Sequence, residues 1–231
     1  MMSDMTTQSA PEPTRPLPSL AGQSVDKPKQ PVTARGERTR NALVAAARRV
    51  FERDGFQESR LTDITAEANC STGTFYTYFQ SKEEILDAVF SEAHEDMLHP
   101  GYPHLDDDAD PIAVLEASNR AYFEAYRRNA RLRLVLEQVT ANSPEFRKQR
   151  LMRGSAFSER NARQIARLQE RGLADPDIDA KSAAEALSGM VSRMAYQAFA
   201  LGSGADIDQL VATATRLWAN AIGMRRPDGA G

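Results

Sequence analysis

From Arg35 onward, apolar residues recur three and four positions apart almost without interruption, the spacing that lays a single stripe along an α-helix. Leu43, Ala47, Val50 and Phe51 follow it first, and Asp54-Gly55 ends that run. A short second helix is predicted from Leu61 to Ala68, with Leu61, Ile64 and Ala68 on one face, and a third from Thr72 to Phe79 after a break at Asn69-Cys70. Ser81-Lys82-Glu83-Glu84 reads as a capping box opening a fourth helix through Ile85, Leu86, Val89, Phe90 and Met97. Asp110-Pro111 and Ser143-Pro144-Glu145 each supply a cap and a first-turn proline, predicting helices to Arg128 and to Arg171, with another between them from Arg131 to Ala141. Two last helices are expected from Asp179 to Leu201 and from Asp206 to Gly223. No stretch alternates as a strand would, so the fold class expected is all-α, with about nine helices.

Helix 3 has two different sides. On a helical wheel Phe75, Tyr78 and Phe79 share one face, whereas Gly73, Tyr76 and Thr77 occupy the other. Glycine inside a helix costs about 1 kcal/mol relative to alanine, so Gly73 suggests that a side chain there would obstruct another surface, such as a nucleic-acid backbone. Thr72, Thr74, Tyr76 and Thr77 carry hydroxyls suited to phosphate oxygens or base edges, and Ser71 caps the helix whose amides point the same way. Lys82 adds a cation nearby.

The run from Thr39 to Leu86 resembles the DNA-binding domain of the TetR family of transcriptional regulators. The residues carrying the likeness are Thr39-Arg40, Phe51, Gly55-Phe56, Ile64, Ala68, Ser71, Gly73, Phe75-Tyr76, Tyr78-Phe79 and Lys82-Glu83. Asn69 stands where the family has glycine, and asparagine best tolerates the left-handed backbone of that turn. Cys70 replaces valine as a small buried hydrophobe, and Arg60 replaces a capping threonine, leaving Ser59 as the expected cap.

The resemblance implies an N-terminal three-helix DNA-binding domain at 35–82 and a helical regulatory and dimerisation domain at 83–223. The expected DNA contacts are Arg40, Arg60, Thr62, Ser71, Thr72, Gly73, Thr74, Tyr76, Thr77, Tyr78 and Lys82. Tyr122, Phe123, Tyr126, Phe157, Tyr196 and Phe199 are expected around a ligand cavity. Leu187, Met190, Val191, Met194, Leu210, Ala214, Leu217 and Trp218 are expected at a homodimer interface. The partners implied are double-stranded operator DNA of palindromic character, a small apolar effector and a second copy of the chain; the activity implied is repression relieved by that effector.

Charge and composition narrow the picture without deciding it. The net charge is -3, yet residues 35–82 hold eight Arg/Lys against six Asp/Glu, and residues 83–231 hold 18 against 23. Residues 1–34 carry six of the twelve prolines among polar residues and read as a disordered leader, and 224–231 as a flexible tail. A lone cysteine excludes an intrachain disulfide, and no apolar run reaches the ~18 residues of a membrane helix, so a cytoplasmic location and no membrane contact are expected. No cofactor or metal is expected: His94, His99 and His104 are spaced by five, which does not align them on a helix face. The competing readings are a helical enzyme or an adaptor without DNA specificity. The histidines lack a nucleophile partner and there is no phosphate-binding glycine loop, while an adaptor leaves Gly73, Tyr76, Tyr78 and Lys82 unexplained.

Overall fold

A computed structural model describes residues 33–98 and 110–224, and these form helices joined by turns and short loops, with no strand among them. The leader to residue 32, His99, His104, Asp106 to Asp108 and the tail from residue 225 lie outside them.

The first helix, α1 (Ala34–Glu58), starts where the Thr33 hydroxyl accepts from Gly36 N–H at 3.1 Å. Its stripe of Leu43, Val44, Ala47, Val50 and Phe51 is fully buried. Helical geometry is interrupted at Gly55, with φ 78° and ψ 169°, so the chain kinks at the predicted stop and then adds one further turn. That backbone region is open to glycine almost exclusively. A Cβ at residue 55 would meet only Gln138 Oε1, at 3.5 Å, so the obstacle to a side chain is the backbone angle rather than crowding. Gly55→Ala is therefore expected to lower stability by about 1–3 kcal/mol, read as a lower midpoint in a urea titration of the full chain; an unchanged midpoint contradicts the strain.

Helices α2 (Leu61–Glu67) and α3 (Thr72–Tyr78) are joined by a turn at Asn69, whose φ of 50° is the left-handed value expected for it. Cys70 N–H closes the turn onto Thr65 C=O at 3.0 Å. Helix α2 is capped at Arg60, not at Ser59 as expected. With the helix beginning at Leu61, Ser59 falls one residue early and donates its hydroxyl to Phe56 C=O at 2.9 Å. A guanidinium cannot accept, so Asp63 alone bonds back to the Arg60 N–H at 3.0 Å.

Helix α4 (Lys82–Leu98) opens with Ser81 accepting from Glu84 N–H at 3.2 Å, while the Glu84 carboxylate reaches Gln80 N–H rather than that of Ser81. Helices α5 (Pro111–Arg128), α6 (Ala130–Asn142), α7 (Pro144–Glu170), α8 (Ala180–Ala195) and α9 (Ile207–Ala221) follow the predicted caps and stops. Between α8 and α9 the expected regular helix widens into a π turn at Tyr196–Ala200, where Leu201 N–H reaches back five residues to Tyr196 C=O.

Two hydrophobic clusters hold these helices. The first gathers the buried faces of α1, α2 and α3 and continues across residue 83 into Ile85, Leu86, Val89 and Phe90 of α4, and Leu132, Leu136 and Val139 of α6. The second packs α5 against α9 and α7 against α8. Within it the Asn119 amide donates to Thr215 Oγ1 at 3.0 Å, satisfying two buried polar groups between α5 and α9. No described helix is long and apolar enough to cross a membrane.

Candidate functional site

Helix α3 sits on the first cluster by one side only. Phe75 is fully buried and Phe79 nearly so, their ring centroids 5.8 Å apart, whereas Tyr76 between them is 59% exposed. The Tyr76 ring stands edge-on to Phe75 at 5.5 Å, which braces it while leaving it outward. Ser71 accepts from Thr74 N–H at 3.1 Å, its hydroxyl lies 3.0 Å from that of Thr74, and Thr77 donates to Gly73 C=O at 3.2 Å. Thr72, Gly73, Tyr76 and Thr77 share the exposed surface. A Cβ on Gly73 would meet nothing nearer than Ser71 Oγ at 3.7 Å, so the fold itself does not demand glycine there. Arg40 lies over the Phe79 ring, 5.2 Å from its centroid, and Arg60 and Thr62 are exposed at the start of α2.

A cavity of about 480 Å³ opens among α4 to α8. Its apolar wall includes Phe90, Met97, Leu132, Leu136 and Phe157; its polar wall includes Asn129, Arg133, Arg150, Arg153 and Ser192, with exposed Leu151 at the rim. Arg153 spans from this cavity to α4, bonding Asp87 at 2.7 Å and Ser91 at 3.2 Å. Burial raises the pKa of the Tyr122 hydroxyl, opposed in part by a hydrogen bond with Ser192. Burial also raises that of Tyr126, opposed by neighbouring Arg133. Both phenols are thus neutral polar groups at ordinary pH.

Comparison with known proteins adds the deciding observation. The family model for bacterial regulatory proteins of the tetR family matches residues 43–89, and that for the C-terminal domain of the transcriptional regulator EthR matches residues 115–223. The chain belongs to the TetR family of transcriptional regulators. The HTH-type transcriptional regulator EthR of Mycolicibacterium smegmatis is 28% identical over 206 residues, covering 84% of this chain and 90% of that protein. The HTH-type transcriptional regulator TtgR of Pseudomonas putida is 25% identical over 183 residues, covering 74% and 85%. Among solved structures, SmeT of Stenotrophomonas maltophilia, repressor of the multidrug efflux pump SmeDEF, shares the fold at a TM-score of 0.64, 23% identity and coverage of 82% of this chain and 91% of that one. Like its relatives, this TetR-family chain is a DNA-binding transcriptional regulator.

Several residues of this TetR-family chain lie elsewhere than the sequence suggested. Lys82, expected beside DNA, turns inward: its ammonium donates to Phe56 C=O at 2.7 Å and Ser59 C=O at 2.9 Å and sits 4.5 Å from the Phe56 ring centroid. Those carbonyls are left over where α1 ends, and a cation is their best donor. Tyr78 is half-buried against the first cluster rather than displayed with Tyr76. Of the six residues expected around a cavity, Tyr122 and Phe157 line the large one, and Tyr126 and Tyr196 line a smaller pocket beside Arg193. Phe123 and Phe199 pack into the second cluster, because aromatic residues on a buried face fill core before they line space. Leu187, Val191, Ala214 and Trp218 are buried within the subunit and have little surface to offer a second copy; Met190, Met194 and Leu210 are half-buried and Leu217 is exposed.

Arg133, Arg150 and Arg153 were missed in the sequence. Their signal was a charge on helix faces otherwise taken as core-directed, easily read as solvated surface. Cys70 packs against the first cluster, and burial raises its pKa, which keeps it a thiol and fits a small hydrophobe. Among the described residues no group of three metal-ligating side chains is assembled.

Proposed function

We propose that this regulator lays α3 in the major groove of operator DNA through Thr72, Gly73, Tyr76 and Thr77, with Ser71, Thr74, Arg40, Arg60 and Thr62 beside them, and that it represses transcription as a homodimer. The observation carrying this reading is the one-sided burial of α3: Phe75 and Phe79 anchor it while Tyr76 between them stands out. Gly73 fits the same reading, since a glycine that the protein interior does not require allows a close external approach.

Two such helices in a dimer must meet grooves about 34–36 Å apart, which favours an operator of palindromic character. Leu217, with Met190, Met194 and Leu210, supplies apolar surface on α8 and α9 for the pairing. The cavity is the effector site in this reading. SmeT, solved in complex with triclosan, is a family member holding a small molecule. An effector that prefers the conformation with the wrong helix separation releases DNA by its differential affinity for the two states. The Arg153–Asp87 pair ties a cavity-lining side chain to α4, the helix that follows the DNA-binding segment.

The test is selection of bound fragments from the source genome, followed by anisotropy titrations with the selected duplex. Thr72→Ala and Tyr76→Ala are each expected to weaken binding about tenfold, in line with the ~1–3 kcal/mol of a good base or phosphate contact, with an unchanged elution volume in gel filtration. If both variants bind the selected duplex as the parent does, α3 is not the contacting helix.

A further inference from the structure

The charges around the large cavity are unevenly answered. Arg150 is paired with Glu137 at 2.7 Å, and Arg153 with Asp87 at 2.7 Å. Arg133, on the α6 wall, has no carboxylate within ion-pair distance among the described residues; Glu137, which lines the smaller pocket with it, is paired with Arg150. The Arg133 guanidinium lies over the Tyr126 ring at 5.3 Å, and its Nε is buried without a hydrogen-bond partner. One turn earlier, Asn129 is 1% exposed; its amide nitrogen donates to Asp96 at 2.8 Å and Ala125 C=O at 2.8 Å, yet its Oδ1 is unpartnered. Arg133 and Asn129 line the same cavity.

Buried polar atoms are rarely left unsatisfied, and Arg133 is half-buried with its Nε enclosed and unpartnered. The other charged or titratable groups of the cavity wall are His94 on α4, the neutral phenol of Tyr122 on α5 and Glu185 on α8, the last on an exposed stretch of helix. An amine entering here meets the Arg133 guanidinium, the one of the three without a paired carboxylate among the described residues. A wholly apolar molecule fits Phe90, Met97, Leu132, Leu136 and Phe157 but leaves the Arg133 end unmet. A carboxylate answers the Arg133 guanidinium, because its two oxygens match the fork, whereas the Asn129 Oδ1, itself an acceptor, calls for a donor and does not bear on this choice.

We propose that the effector is an amphipathic acid: an aryl or alkyl body against the apolar wall, and a carboxylate accepting from Arg133. The inference rests on the cavity being the effector site, and it replaces the apolar effector expected from the sequence by a charged one of similar body.

The experiment compares 8-phenyloctanoate, 8-phenyloctan-1-ol and 8-phenyloctylamine, three probes sharing one body, by calorimetry and thermal shift on the full chain. The acid is expected to bind at least about tenfold more tightly than the alcohol, the size of one charge-assisted hydrogen bond, and the amine weakest. Arg133→Met, which keeps the stem over Tyr126, is expected to abolish the preference for the acid. Arg133→Lys is expected to retain it in reduced form, and decides the matter if the methionine variant does not fold. Equal binding of acid and alcohol, a preference for the amine, or an acid preference surviving in the methionine variant overturns the acid and leaves the cavity as an effector site. Binding of none of the three overturns the effector-site reading as well.

Discussion

Phe75→Ala is expected to destabilise the chain by about 3–5 kcal/mol, the range for deleting a fully buried phenylalanine and leaving its cavity. Phe75 is 0% exposed and, with Phe79, seats α3 on the first hydrophobic cluster. Helix α3 is only seven residues long, too short to persist by its own hydrogen bonds, so tertiary anchorage is what keeps it helical. A urea titration of the full chain followed by circular dichroism measures the loss, and a Phe75→Leu control is expected to cost less than half as much because most of the volume is kept. A midpoint within error of the parent for the alanine variant contradicts the packing described for this helix.

Lys82→Met is expected to cost about 2–4 kcal/mol, because two carbonyls at the end of α1 lose charge-assisted donors and the contact with the Phe56 ring changes character. The side chain is part-buried, so water recovers some of the loss and the lower half of the range is favoured. The same variant separates two roles for the lysine. A phosphate contact removed from the interface reduces the salt slope of DNA binding by about 1. The inward geometry instead gives lower stability with an unchanged slope, read from anisotropy titrations at several salt concentrations below the unfolding midpoint. A reduced slope with unchanged stability places Lys82 back at the DNA.

Both residues belong to the segment where the sequence was most informative, and they differ in what it could say. Phe75 was legible because its partners, Tyr78 and Phe79, are its helical neighbours and the wheel assigns them to one face. The left-handed Asn69 and the stop at Gly55 were legible for a similar reason: a glycine or asparagine reports a local backbone angle. Lys82 was not, since the carbonyls it serves lie 26 and 23 residues away and become available only when α1 kinks. The cap at Arg60 depended on one residue of register at a helix start, where local signals are weakest.

The regulatory half shows the same division. Amphipathic stripes on α8 and α9 correctly marked apolar faces, yet a stripe does not say which surface it meets. Trp218, Val191 and Ala214 meet α5 and α7 of their own chain, leaving Leu217 outside. The cavity is a property of five helices together, so Arg133 and Asn129, four residues apart, gave no sign that they would share a wall with residues from α4, α7 and α8.

The first hydrophobic cluster bears on how this molecule can be divided. Ile85, Leu86, Val89 and Phe90, with Leu132, Leu136 and Val139, cover the inner sides of α1 to α3. Cutting the chain after Lys82 would strip that cover and leave Phe51, Ile64 and Phe75 facing water. The reader head is therefore not an autonomous module: any excised piece meant to grip a duplex must carry α4 with it, together with a substitute for the α6 surface.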